Sequence, residues 1–578
     1  MDVDVDVDVD VDVDVDVDVD VGRILRAVQA CTGKAFYLKS RTRMSFDLRS
    51  AMYRRAFFTT VAVLFVVIAA LAVLVSPWWH LAWVVWLALT ALGIKDLSSS
   101  YNVLTNYPIV GHLRYLLEFI RPELRQYFFE SESSGRPFSR EQRQLINARA
   151  EGASDAMPFG TLRDVDAPGY DYSAHSLSPK EVDQAHARIR VGGPQCTAPY
   201  ESSIFNISGM SFGALSGNAI LAMNKGAKKG GFAHDTGEGA ISPYHEKYGG
   251  DLIWQLGTGY FGCRTEGGRF DPEAFKEKAC GEQVKMIEIK LSQGAKPSHG
   301  GLLPASKVNE EIADTRKIEV GQACESPAAH PEFSTPKGLL AFVARLRELS
   351  GGKPVGFKLC IGKRSEFLSI CKAMVETGTY PDFITVDGAE GGTGAAPAEF
   401  SDSFGLFINE ALPFVDQALT GCGLREHIRV IASGKVALGY DMVVKHALGA
   451  DICHAARPFM FAVGCIQSRR CHTNQCPTGV ATQDPRRSQA LDVEEKYQRV
   501  ATFHSATITS FFNMVGAMGL DSPAQLTPHM IQHRSRYAPA TSYDHMIGPI
   551  LSEGELIRGE ALAEPWQAHW QAASAERF

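Results

Sequence analysis

Residues 428–457 read IRVIASGKVALGYDMVVKHALGADICHAAR, and their order decides the fold. A short apolar run, IRVIAS, is followed by a helical stretch at 440–448 and then by a second short apolar run, DICHAA. Two strand-length runs separated by a helical pattern predict parallel strands joined by a crossover helix. The same rhythm continues upstream through SIFNIS (203–208), a helix at 216–229, MIEIKL (286–291), a helix at 336–349, PVGFKL (354–359), a helix at 365–377 and DFITVDG (382–388). Alternation sustained over more than about 300 residues predicts an α/β protein closed as a (β/α)8 TIM barrel rather than an open sheet. An open sheet would usually carry a Gly-rich dinucleotide turn after its first strand; no complete G-x-G-x-x-G stands there, so no nicotinamide site is expected in this chain.

Barrel chemistry gathers at the C-terminal ends of strands. Ser433, Gly434 and Lys435 follow one of the last two runs, and Ala456 and Arg457 follow the other. Backbone amides at such ends can hold a phosphate, to which Lys435 and Arg457 would add charge. The plainer reading is a glycine turn flanked by two solvated cations.

A second stretch, GCIQSRRCHTNQCPTGVAT at 464–482, spaces Cys465, Cys471 and Cys476 as C-x5-C-x4-C. Thiolates are the natural ligands of iron in iron-sulfur clusters, and a short loop with Asn474, Pro477 and Gly479 can fold three of them onto one cluster face. Three ligands without a fourth suggest a 3Fe-4S cluster. Free cysteines also serve as small apolar core residues. Arg469, Arg470, His472 and Asn474 make a setting better suited to a cluster loop.

This loop, together with SGMSFGALS (208–216), DTGEG (235–239), IKLSQGAKP (289–297), FKL (357–359), VDGAEGGTGA (386–395) and IASGK (431–435), resembles the glutamate synthases over residues 203–485. Within that family the likeness is greatest to membrane-associated FMN-binding proteins that keep the synthase barrel and lack the glutamine-hydrolysing domain. The resemblance implies FMN and a 3Fe-4S cluster, with Ser433, Gly434, Lys435, Ala456 and Arg457 at the FMN phosphate. It places Ser208, Met210 and Ser211 along the flavin ring, Gln255 and Lys290 at its polar edges, Lys358 near it, and Gly391, Gly392 and Gly394 in the cofactor site. It also implies Gln293 and Lys296 at the oxo-acid site and Glu238 near the entry of ammonia. The reaction implied is reductive amination of 2-oxoglutarate to L-glutamate, with ammonia and an external electron donor such as ferredoxin or a reductase subunit. Two segments depart from the family pattern. Synthases usually continue QGAKP with Gly-Glu-Gly-Gly-Gln, whereas Ser298 to Leu302 follow here, and their Ser-Pro-Pro-x-His-His segment becomes ESPAAH at 325–330. A related FMN enzyme acting on another amine or oxo acid, such as a glutamate-transferring subunit, and a non-catalytic membrane redox sensor are the alternative readings.

The chain has 578 residues, 45% hydrophobic and 21% charged, as expected of a globular protein with room for a large barrel and appendages. Its net charge of −7 becomes +3 without the ten aspartates of the opening Asp-Val repeat, so no nucleic-acid partner is implied. That repeat, within 1–22, is expected to be a solvated low-complexity tail because like charges would crowd one face of a strand. Two uncharged runs at 57–75 and 78–94 are each long enough to cross a bilayer as a helix. Basic residues precede the first and none lies in the turn, so a two-pass hairpin in the cell membrane with both ends cytoplasmic is expected. Scattered cysteines without a secretory pattern agree with a reducing interior. The plan is therefore a tail at 1–22, a basic cytoplasmic segment at 23–56, a transmembrane hairpin at 57–95 touching membrane lipid, a connector at 96–198, the barrel at 199–535 and a C-terminal tail at 536–578.

Overall fold

The computed structural model describes residues 48–559 and 561–578, with side chains from residue 53 onward. The Asp-Val tail and most of the basic segment lie outside the described residues. The chain divides into two compact units, one ending at Arg121 and the other running from Pro122 to Phe578.

In the first unit, the helices Leu48–Leu74 and Ala82–Leu97 are joined by a single 3-10 turn, Pro77–Leu81. Ser76 caps that turn, and Pro77 sits at its first position, where a missing N–H costs nothing. Spans of 22 residues, Tyr53–Leu74, and 21 residues, Pro77–Leu97, are long and apolar enough to cross a membrane. The first helix starts before the apolar run because the basic stretch ahead of it contains no helix breaker. The hairpin is pinned by Trp86 Nε1 donating to the Val61 carbonyl at 3.0 Å and by an edge-on contact of Phe65 with Trp83.

The second unit is built on a closed parallel barrel whose strands run in sequence order. They are β1 (Phe205–Ile207), β2 (His234–Asp235), β3 (Leu252–Leu256), β4 (Val284–Lys290), β5 (Val355–Leu359), β6 (Phe383–Asp387), β7 (Arg429–Ser433) and β8 (Ile452–Ala455). Because side chains alternate across a strand, every second residue points into the barrel. Ile253, Met286, Phe383, Ile431 and Ile452 form an apolar cluster separate from the larger core between strands and helices. Two residues further along the same strands stand Gln255, Glu288, Thr385, Ser433 and His454, so the interior turns from apolar to polar toward the C-terminal mouth. Pairing of Gln255 with Glu288, Lys358 with Lys290, and Asp387 with Ser433 fixes these polar residues at neighbouring heights.

The crossover helices are cut where capping chemistry predicts. Ser216 caps Gly217–Gly230 through the Ala219 amide, and Gly231 ends that helix with a left-handed φ of 64°. Thr335 caps Pro336–Leu349, and the remaining predicted helices form at Arg364–Thr377 and Gly439–Ala447. The strand β2 went unread because two residues carry no period. Residues 291–335, between β4 and its crossover helix, hold a small hairpin (Leu302–Leu303 with Cys324–Glu325) and the helix Glu310–Arg316. Residues 122–198 and the C-terminal stretch belong to the same unit as the barrel. The strand Asp171–Ser173 pairs with Ile531–His533, and the helix Trp566–Ala572 packs on Arg364–Thr377.

Candidate active site

A cavity of about 780 Å³ opens at the C-terminal mouth of the barrel. Gly209, Met210 and Ser211 after β1, Gly237 and Glu238 after β2, Gln255 in β3 and Lys290 at the end of β4 all reach it. So do Gln293, Gly392, Gly394, Ala456 and Arg457, and on the far side Cys465 and Cys471. A small recess beneath it is lined by Ser208, Lys358, Gly391, Ser433, Gly434 and Lys435. Another, sharing Glu238 with the main cavity, is lined by Lys296, Leu302, Lys307, Arg316, Ser326 and Cys471. Residues separated by up to 344 positions in sequence, from Pro137 to Ala481, thus meet around the main cavity.

The floor is a buried network. Gln255 Nε2 donates to Glu288 at 2.7 Å and to Asp235 at 3.2 Å, and Thr385 Oγ1 donates to the other Glu288 oxygen at 2.6 Å. Burial, with Glu288 beside it, raises the Asp235 carboxyl well above the ordinary range. Lys358 lies 3.5 Å from Asp387, which also accepts from Ser433 Oγ at 2.7 Å and from the Gly294 amide at 2.8 Å. Burial opposes the Lys358 charge, but Asp387, Glu288 and Asp235 outweigh it and hold the ammonium above its usual value.

At the ends of β7 and β8, Lys435 takes a left-handed φ of 47° and has no carboxylate partner among the described residues. Burial and then the neighbouring Arg457 push its ammonium down. Arg457 is itself lowered to about 10 by burial, and it donates to the Glu390 carbonyl at 3.1 Å while lying 4.8 Å from the Phe138 ring. A Cβ on Gly392 would come within 2.8 Å of that guanidinium, so only glycine lets the backbone lie against it. Two adjacent cations that repel each other, acted on by Glu390 but with no carboxylate within ion-pair distance among the described residues, are a ready site for a dianion.

On the opposite wall Lys290 pairs with Glu238 at 3.1 Å. Burial alone would raise Glu238, but Lys290, Arg316 and Lys296 hold it below its ordinary value. Lys296, only 2% exposed, is lowered to about 8 by burial. The Gln293 amide nitrogen and the Ser326 hydroxyl are buried without a partner among the described residues. His330, from the segment that departs from the synthase pattern, bridges the Tyr260 hydroxyl and the Lys290 carbonyl, which fixes the end of β4.

The cysteine loop is sharply turned: Gln467, Arg469 and Asn474 adopt left-handed φ values of 58°, 56° and 61°, and Gly464 and Gly479 are also positive. Asn474 ties the turn together, its Oδ1 accepting from the Gln483 amide at 2.7 Å. Cys465 is raised to about 12 by burial, and burial together with Cys476 raises Cys471. Cys476 is pulled down despite its burial because Ala481, Thr478 and Val480 donate toward its sulfur. Cys476 is buried and does not line the main cavity. Among the described residues no group of three or more His, Cys, Asp or Glu is placed to hold a single metal ion. A cluster spreads its thiolates over several irons and uses hydrogen bonds to sulfur, such as those at Cys476.

Three residues of this site escaped sequence reading. Arg316 donates to Ser211 Oγ at 3.3 Å and the Phe212 carbonyl at 3.0 Å, leaving Nε unpartnered. Lys307 is buried between two loops, and His454 is buried with neither ring nitrogen bonded. In sequence, Arg316 ends an ordinary charged helix and Lys307 follows a turn, so neither carries a signal of burial.

A model of the conserved region in glutamate synthase matches residues 181–521. This chain belongs to the glutamate synthase family. The glutamate synthase large subunit-like protein YerD of Bacillus subtilis is 38% identical to it over 501 residues, covering 79% of this chain and 95% of that one. The archaeal NADPH glutamate synthase of Methanocaldococcus jannaschii is 37% identical over 317 residues, covering 55% of this chain and 59% of that one, so the match spans about three-fifths of that relative's length. Among solved structures, a flavocytochrome b2 mutant with benzoylformate overlaps 81% of this chain at 14% identity and a TM-score of 0.39. The family's matched segment contains the whole barrel and the cysteine loop.

Proposed function

We propose that this family member is an oxidoreductase that holds FMN in the barrel mouth and a 3Fe-4S cluster on Cys465, Cys471 and Cys476, and that it reductively aminates 2-oxoglutarate to L-glutamate. The observation that carries this reading is the cavity into which Arg457, the Lys290–Glu238 pair and two of the three cysteines all open, with Lys435 in the adjoining recess that Arg457 also lines. Bound there, FMN would supply hydride transfer to carbon and the cluster one-electron carriage.

The chain's own residues do the positioning. Lys435, Arg457 and the amides after Ser433 hold the phosphate dianion, and Gly392 admits the Arg457 guanidinium. Met210 and Ser211 in the cavity, with Ser208 in the adjoining recess, would give a flavin ring a close backbone wall, and Gln255 and Lys290 would offer polar groups to it. Lys358, kept charged by Asp387, favours negative charge on the ring. Gln293 offers a free amide to substrate, and Lys296 and Arg316 bind its carboxylates. Glu238, held anionic, binds ammonium. Coordination to iron would keep the cysteines deprotonated despite their burial. Ammonia would be the nitrogen donor, and a ferredoxin or reductase subunit would supply the electrons. Exposed Val66, Val73 and Leu87 along the N-terminal hairpin support a membrane anchor, and the basic residues that precede it in the sequence favour a cytoplasmic barrel.

Leu302 favours a second reading. It lines the cavity where glutamate synthases place a glutamine, so the site lacks one polar contact and suits an oxo acid or amine other than theirs. Anaerobic purification followed by reoxidation of the reduced flavin against a panel of oxo acids, with and without ammonium, decides between them. Reoxidation by 2-oxoglutarate only when ammonium is present supports the first reading. Reoxidation that needs a different oxo acid or an alkylamine replaces it with the second.

A further inference from the structure

Lys307 is a buried lysine, 2% exposed, with no carboxylate within ion-pair distance among the described residues. Its ammonium donates instead to two backbone carbonyls, Ala214 at 2.9 Å and Ala481 at 3.1 Å. Ala214 belongs to the loop after β1 that walls the main cavity, and Ala481 to the end of the cysteine loop. The two loops are further joined by Gln483 Nε2, which donates to the Gly213 and Leu215 carbonyls at 3.1 and 2.7 Å, and by the Ser216 amide, which donates to the Val480 carbonyl at 2.9 Å. A neutral donor could make the same two bonds as Lys307 without the cost of burying a charge. The charge therefore calls for an anion, and the groups able to become anionic that act on it are the Cys471 and Cys476 sulfurs; Lys307 and Cys471 line the same recess, which Glu238 also reaches while pairing with Lys290.

We propose that Lys307 is the fixed countercharge of the iron-sulfur cluster: it raises the cluster's reduction potential and locks the cysteine loop against the flavin-side loop. The inference rests on the cluster proposed above. Three thiolates make the cluster anionic, and each added electron makes it more so, so a cation held beside it favours the reduced form. Fixing that cation through carbonyls of both loops ties its position to the spacing between the two redox sites.

The test uses the full chain purified without oxygen, as wild type, Lys307→Gln and Lys307→Arg. Glutamine keeps donors for the carbonyls and loses the charge; arginine keeps the charge. Iron and flavin content are measured, and the cluster's midpoint potential is read by redox titration of its electron paramagnetic resonance signal. The expected result is a midpoint moved to lower potential in Lys307→Gln, with Lys307→Arg close to wild type. Equal midpoints in all three proteins, or the same shift in both variants, overturn the countercharge. If Lys307→Gln fails to retain iron, the comparison of Lys307→Arg with wild type decides: retained iron at an unchanged midpoint supports the charge requirement, and iron loss in both overturns it in favour of a purely steric role. A wild-type protein without a three-iron signal refutes the underlying cluster reading, and the inference falls with it.

Discussion

The two ends of the barrel differ in how completely they pair buried positive charge. At the N-terminal end, Arg347 pairs with Asp382 at 2.9 Å with both side chains buried, and Asp382 also accepts from the Val355 and Gly193 amides. Arg425 there bridges Asp416 at 2.6 Å and Asp451 at 3.0 Å. At the mouth Lys290 and Lys358 are paired with Glu238 and Asp387, but Lys296, Lys307, Arg316, Lys435 and Arg457 have no carboxylate within ion-pair distance among the described residues. A closed end can satisfy its charges internally and thereby fix strand register. An end that received anions, as proposed above, would have to leave some cations without a paired carboxylate, and folding energy from the rest of the barrel would offset that cost.

The sharpest break of this contrast is at the cysteine loop. Cys471→Ser should abolish the three-iron resonance signal completely while flavin remains bound; a full iron signal in that variant removes Cys471 from the ligand set. At the closed end, Asp382→Ala leaves Arg347 buried and unpaired, and should cost about 3–5 kcal/mol of unfolding free energy. Chemical denaturation measures it, and cofactor content per folded molecule should be unchanged. A drop in flavin affinity without loss of stability would show that the two ends are not separate in role.

Smaller effects belong to the mouth. Lys296→Ala should lower kcat/KM for the oxo acid by roughly ten- to a hundredfold, equivalent to a charge-assisted contact of about 1.5–3 kcal/mol, with flavin content retained. Burial holds Lys296 near 8, so its ammonium is charged below that pH and neutral above it. The wild-type kcat/KM should therefore fall as pH rises through about 8, and Lys296→Arg should remove that fall; a wild-type profile flat across this range would take the charge of Lys296 out of substrate binding. The smallest expected change is Leu302→Gln, about 1 kcal/mol or less in either direction. A lower KM for 2-oxoglutarate marks a pocket of synthase shape. Lost turnover of another oxo acid marks an apolar contact spoiled by an unpaired amide.

What the sequence determined by itself was what repeats over short distances or stands in a compact motif. Strand and crossover-helix alternation is a local signal, so IRVIAS, DICHAA and PVGFKL were legible as strands and Pro336–Leu349 as a helix with its Thr335 cap. The three cysteines could be read as one group because a few residues separate them, and the glycine-rich strand ends because their backbone role depends on local turn geometry. The tertiary structure alone decided which charges are compensated. Lys290 and Lys307 look alike in the chain, yet one meets Glu238 and the other two carbonyls from loops far apart in sequence. It also decided that β2, two residues long, closes the barrel, and that Arg316 turns back to the loop after β1. Periodicity is carried by neighbouring residues, whereas a buried ion's partner is set by which strand ends the closed barrel brings together.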